Sequence, residues 1–105
     1  MELARSLNKM YFKIHKHKDG NILAVADEDL IGKTIKSKDI ELFVNPRFYG
    51  EEKASKEWLI KKMQSNEIIT VNLIGKEAVQ TGIEAGKIDK EHIKKKGNEP
   101  HAHSY

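Results

Sequence analysis

The 105 residues include no cysteine, which excludes disulfide staples, thiolate zinc sites and a cysteine nucleophile. Proline is almost absent: Pro46 and Pro100 are the two present, so few positions are barred by their own chemistry from a central β-ladder. No apolar run approaches the roughly 20 residues of a membrane-spanning helix, and no signal-peptide core is visible. Neither charge sign dominates. Nineteen lysines and arginines face 16 acids, for a net +3, a balance that permits a nucleic-acid partner without arguing for one. A glycine-flanked serine, a phosphate loop and a His-Glu metal helix are missing as well. The expectation is a cytoplasmic protein with no cofactor, no nominated catalytic residue, no motif for sequence-specific DNA reading and no membrane contact. A general acid–base role for His15 or His101 stays open, because imidazole titrates near neutral pH.

With 38% apolar and 33% charged residues, the chain reads as one globular, well-solvated domain. Its organising stretch runs from Ile68 to Asp89. Ile68, Ile69, Val71, Leu73 and Ile74 form a strand-length apolar run, broken only by Thr70 and Asn72, of the kind buried on both faces. Gly75 ends the run. Ala78, Val79, Gly82 and Ile83 then share one helical face, with Lys76, Glu77, Gln80 and Glu84 on the other. Gly86 is a helix stop, and Ile88 is spaced to fold back on the last turn. His92 and Ile93 are expected as a short second strand. Two features carry a functional alternative. Asn72 is polar within an apolar strand, and Gly75 opens a helix whose first amides could hold an anion; the plain reading is a backbone contact and a turn.

Met10 to His17 alternates, with Phe12 and Ile14 on one side and Tyr11, Lys13, His15 and His17 on the other, marking a half-buried strand with a basic outer face. Asp19-Gly20 turns the chain into Ile22–Ala26, so a hairpin is expected over residues 10–26. Asp27 is a reasonable N-cap for a helical turn ended by Gly32. Lys33–Asp39 reads as a polar connection and Ile40–Val44 as a third strand stopped by Asn45-Pro46. Arg47-Phe48-Tyr49-Gly50 is an aromatic loop tip, with either ring available as an anchor. Ser55 caps a helix to about Gln64 that buries Trp58, Leu59 and Met63. The fold class is therefore α+β: a single domain with a mixed sheet of four to five strands, two main helices (Ser55–Gln64 and Lys76–Ala85) and an N-terminal hairpin. Residues 1–9 are an extension or short helix, 10–96 the α+β domain and 97–105 a histidine-containing tail.

Two constellations suggest binding. His15/His17 and His101/His103 each lie two apart, so both rings of a pair face one way in an extended chain, and together they offer four nitrogens for tetrahedral zinc. The plain alternative is exposed or hydrogen-bonded histidines. Tyr11, Lys13, His15 and His17 mix a ring with cations on one strand face, with Arg47-Phe48-Tyr49 and Lys94-Lys95-Lys96 as extensions. That mixture suits RNA or a ribonucleoprotein; its plain alternative is a solvated face. A third class, a protein–protein adaptor or homodimer, would use the Phe48-Tyr49 loop.

Tyr11-Phe-Lys-Ile-His15, Asp29-Leu-Ile-Gly-Lys33, Phe48-Tyr-Gly50, Asn72-Leu-Ile-Gly75 and Pro100-His-Ala102 together resemble an archaeal family, domain-of-unknown-function family 424. The resemblance covers Met10 to Ala102. It implies a compact α+β cytosolic protein associated with RNA or translation, with no enzymatic activity attached. Where that family often has a cysteine before Asp-x-x-Leu, this chain has Ala26, so any thiol chemistry there is lost. Motif positions carried over are His15, Gly32, Lys33, Tyr49, Gly50, Asn72, Gly75 and His101. The glycines are read as backbone positions and the others as candidate ligand contacts, alongside Tyr11, Lys13 and Arg47. The pattern further implies that His101 returns to dock beside Asn72 and Gly75.

Overall fold

Alternation over Lys9–His15 makes the first strand, β1, and the Asp19-Gly20 turn folds the chain back as β2, Asn21–Asp27. The computed structural model describes residues 9–50 and 52–104; the extension or helix expected over residues 1–9 lies outside them except for Lys9, which begins β1. β3 (Thr34–Lys36) and β4 (Glu41–Phe43) form a separate two-stranded sheet. A one-turn helix, α1, spans Pro46–Tyr49. After it come β5 (Glu52–Ser55), α2 (Lys56–Gln64), β6 (Ile68–Ile74) and α3 (Lys76–Glu84). A 3₁₀ turn at Lys90–His92 leads to the hairpin of β7 (Lys94–Lys96) and β8 (Glu99–His103).

The main sheet has six strands in the order β5-β1-β2-β6-β8-β7. Its centre is the parallel pair β2–β6; the other four pairings are antiparallel. The expected α+β class and mixed sheet hold, with six strands plus two in place of four to five. Residues paired across a ladder share a face, so register alone divides the sheet. Phe12, Val25, Leu73 and Ala102 lie in one row, beneath α2 and α3, where Leu23, Leu59, Met63, Val71 and Ala78 are fully or almost fully buried. Each of the four larger side chains contributes about 1.5–3 kcal/mol of apolar transfer. The opposite face carries a smaller core of Ala24, Ala26 and Ile74 under Leu30, Ile35, Val44 and Tyr49. Alanine at two of those sheet positions lets the second layer approach closely.

Several expectations change. Trp58 is 43% exposed, because it sits on the rim of α2, tilted 4.9 Å from the Phe12 ring; Leu59 and Met63 are buried as expected. His92 belongs to the 3₁₀ turn, and the following strand is β7. β6, α3 and β7 do run strand–helix–strand, but β8 lies between the two strands, so they do not pair. Lys33–Asp39 contains β3, whose Ile35 is buried in the second core. Glu52–Ser55 supplies an edge strand that its charged sequence conceals. Residues 99–103, read as tail, form a strand inside the sheet.

The largest change concerns Asp27. It does not cap its own turn through its side chain, since Leu30 N–H bonds to the Asp27 backbone carbonyl at 3.0 Å. The carboxylate reaches across to α3, where Oδ1 accepts from Ala78 N–H at 2.7 Å and Oδ2 from Glu77 N–H at 3.1 Å. The free amides at a helix start want an acceptor, and here the acceptor comes from the end of β2. Burial pushes the Asp27 carboxyl up from its ordinary value, and the two amide bonds pull it part of the way back. Gly75 makes the approach possible. Its φ is 107°, and a Cβ there would lie 2.2 Å from Asp27 Cγ. The anion site that α3 offers by sequence is thus filled by the chain itself. Asp27→Ala should cost about 1–3 kcal/mol in urea unfolding, and Gly75→Ala should also lower the midpoint. Unchanged midpoints for both would contradict this capping.

Candidate functional site

The second sheet face gathers most of the polar residues singled out by sequence. Tyr11 pairs with Ala26 and Lys53, Lys13 with Ala24, and His15 with Ile22. Across the parallel centre Ala24 faces Asn72 and Ala26 faces Ile74; beyond them Asn72 faces His103, and Ile74 faces His101, which faces Lys94. Tyr11, Lys13, His15, Asn72, His101, His103 and Lys94 therefore all project from the face that α2 and α3 leave alone.

Asn72 is the hub. Its Oδ1 accepts from the Tyr49 hydroxyl at 2.8 Å and lies 3.2 Å from His101 Nε2. A carboxamide oxygen only accepts, so His101 Nε2 carries the proton and, in the neutral ring, Nδ1 remains the acceptor. His101 stays neutral over a wide range: burial, with His103, Lys96 and Lys94 nearby, lowers its pKa to about 4. Burial also pushes the Tyr49 hydroxyl up to about 12, so it acts as a donor and not as a base. The backbone helps to fix the same point, since Gly75 N–H bonds to the Pro100 carbonyl at 2.9 Å. His101 thus returns to Asn72 and Gly75, as the motif pattern implies.

Around α1, candidate contacts turn out to hold the fold. Lys13 Nζ donates to the Arg47 carbonyl at 3.0 Å, and His15 Nε2 to the Phe48 carbonyl at 2.7 Å, satisfying carbonyls that a short helix leaves open. The His15 ring stacks on Phe48 at 4.6 Å, and Phe48 meets Tyr49 edge-on at 4.9 Å. Tyr49 is buried and Phe48 half-buried, so this segment is not the exposed aromatic anchor of the adaptor reading. Arg47 is exposed beside them, and Tyr11 lies under Lys53 Nζ at 5.5 Å. Lys33 is not drawn in: its backbone is tied to Leu30 and Val44 at the entry to β3. His17 is exposed in the hairpin turn, with its backbone N–H on Asn21. Among the described residues no group of three or more His, Cys, Asp or Glu could hold a metal, so the two histidine pairs form no common zinc site.

At the other margin, β7 and β8 bring Lys94 and Lys96 to the same side as His101. The ion pairs found among the described residues involve Lys53, Lys56, Lys62 and His92, none of them in β7. Next to this margin a cavity of about 520 Å³ opens between β8 and residues 86–92. The lysine triplet is plain in the sequence, but its place opposite His101 is not. The signal that could have found it is Gly97-Asn98, a two-residue hairpin turn between short segments.

A family profile matches residues 14–105, which is most of the chain. The protein belongs to the DUF424 family, described as proteins of unknown function. A solved structure, that of an uncharacterized conserved protein from Methanopyrus kandleri, is similar at 27% identity and a TM-score of 0.80, over 92% of this chain and 90% of that one. No curated protein matches. The DUF424 chain has no helix, among its described residues, long and apolar enough to cross a membrane.

The hub makes a titration prediction. Folded His101 should take up its proton only near pH 4, below the ordinary histidine value of about 6.5. A depressed folded value means that its contribution to stability is present above about pH 6.5 and is lost as pH falls toward 4. Ring nitrogen NMR should find the Nε2–H form and that low inflection, and Asn72→Asp should move the inflection upward by adding a carboxylate. An inflection between pH 6 and 7 in the unaltered protein would contradict the hub.

Proposed function

We propose that this DUF424 protein is a non-catalytic cytosolic module that binds RNA, within a ribonucleoprotein of the translation machinery, through the margin built by β7 and β8. One observation carries the reading. Lys94 and Lys96 project beside the half-buried rings of His101 and His103, and none of the ion pairs found among the described residues neutralises them. Cations free to neutralise phosphates, next to flat rings on which unpaired bases stack, are what single-stranded RNA needs. Lys13 and Arg47, exposed at the β1 margin, supply further positive charge. Tyr49 and Asn72 position His101 in this reading and do not themselves touch the ligand.

The chemistry disfavours catalysis at the hub. Tyr49 keeps its proton at neutral pH, and the nearest partner of the His101 ring is a carboxamide and not a carboxylate. What is left is a rigid, mostly neutral polar centre with cationic edges, suited to holding a polyanion rather than transforming one.

Fluorescence anisotropy with a labelled single-stranded oligonucleotide tests the proposal. Binding should weaken steeply with salt, and Lys94→Glu combined with Lys96→Glu should reduce affinity by about tenfold or more. The same pair should flatten the log–log salt slope by about 1.4, since each single-strand phosphate contact contributes about 0.7. Absence of affinity at low salt, or an unchanged slope in the double variant, would overturn it.

A further inference from the structure

We infer that the cavity between β8 and residues 86–92 is a binding site for one nucleotide, a nucleobase carrying a phosphate, taken either free or as the end of an RNA strand. The inference rests on the RNA reading in so far as the strand end arrives over β7. It adds a discrete pocket to what is otherwise an open charged margin.

Size comes first. About 520 Å³ falls in the range of about 300–1,000 Å³ that small-molecule sites occupy. The lining then selects the ligand. Ile88 and Ala102 close its inner end and are themselves buried in the helix-side core, so they offer a ligand almost no surface. Lys87 and Lys94 supply two cations and His92 a flat, polar ring, with His101 and His103 bordering the space from β8. An anion alone would leave the imidazole unused and would also meet Asp89 and Glu91, which line the same space. An apolar ligand would bury lysines and imidazoles without partners. A heteroaromatic ring with donors and acceptors on its edge, tethered to a phosphate, uses the lining: the ring against imidazole, its amino groups toward the carboxylates, its phosphate toward the lysines.

Rigidity supports the assignment. The floor strand is locked, because Ser104 N–H bonds to the Val71 carbonyl at 3.0 Å, Gly75 N–H to Pro100, and His101 Nε2 to Asn72. The roof is fixed at one end by α3, whose Gly82 carbonyl takes the Lys87 and Ile88 amides at 3.0 and 3.3 Å. At the other end the 3₁₀ turn closes with His92 N–H on the Asp89 carbonyl at 2.9 Å. A preformed cleft of this kind asks little ordering of the protein when the ligand enters.

The test is a titration of the full chain with adenosine 5′-monophosphate, adenosine and inorganic phosphate, followed by the ring signals of His92 and His101. The monophosphate should shift both rings and bind at least ~10-fold more tightly than either fragment. Lys87→Glu with His92→Ala, both on the roof and apart from β7, should weaken it by about the same factor. Competition with an oligonucleotide bearing a terminal phosphate separates the two sources: mutual displacement assigns strand ends, independent binding assigns the free nucleotide. Phosphate binding as well as the monophosphate, or ring signals unmoved by any of the three while the oligonucleotide still binds, would overturn the nucleotide site and leave the RNA reading standing. Failure of the oligonucleotide as well would remove both.

Discussion

A single side-chain oxygen, Asn72 Oδ1, holds together three parts of the chain that are far apart in sequence. The Tyr49 hydroxyl reaches it from α1, and the His101 ring reaches it from β8. Asparagine in the middle of an apolar strand is costly unless its carboxamide is satisfied, and here its acceptor is used by both neighbours. Leucine at this position would leave the Tyr49 hydroxyl in the second core without a partner. The polar residue is therefore what lets α1 and β8 be docked on the same face, and with them the lysines and histidines of both margins.

A second polar contact explains why the candidate site lies away from the start of α3. α3 begins at Gly75 with amides that would attract an anion, and Asp27 already occupies them from the end of β2. That bond ties the parallel centre of the sheet to the helix that covers its other face. It also leaves the helix start without capacity for a ligand. Positive charge available to a partner is found at the sheet margins instead, where Lys13, Arg47, Lys94 and Lys96 are set by strand register and by the short helix α1.

Much of this is legible in the sequence. The β1–β2 hairpin followed from alternation and an Asp-Gly turn, α2 from Ser55 and its periodic face, and β6 with α3 from an apolar run broken by one glycine. The return of His101 to Asn72 was legible only through the motif pattern. What escaped did so for physical reasons. β8 carries Pro100 and two histidines and shows no apolar alternation. It is still an inner strand, because Pro100 lies just beyond the end of β6, where its missing N–H is not required and its carbonyl takes Gly75 N–H. β3 and β5 are three and four residues long, too short for a periodic signal. Trp58 read as core because it is large and apolar, whereas the rim of α2 leaves it beside Phe12 with one side in solvent. Asp27 and α3 are 50 positions apart, and no local rule connects a strand-end carboxylate to a distant helix start.

The shared carboxamide is also the part of the account most open to direct measurement. A double-mutant cycle of Tyr49→Phe and Asn72→Ala, read by urea unfolding, isolates the bond that seats α1 on the sheet. The structure predicts a coupling of about 1 kcal/mol or more between the two changes. Additivity to within about 0.3 kcal/mol, the behaviour of residues that do not touch, would show that Asn72 holds nothing together and that the face described here is not organised around it.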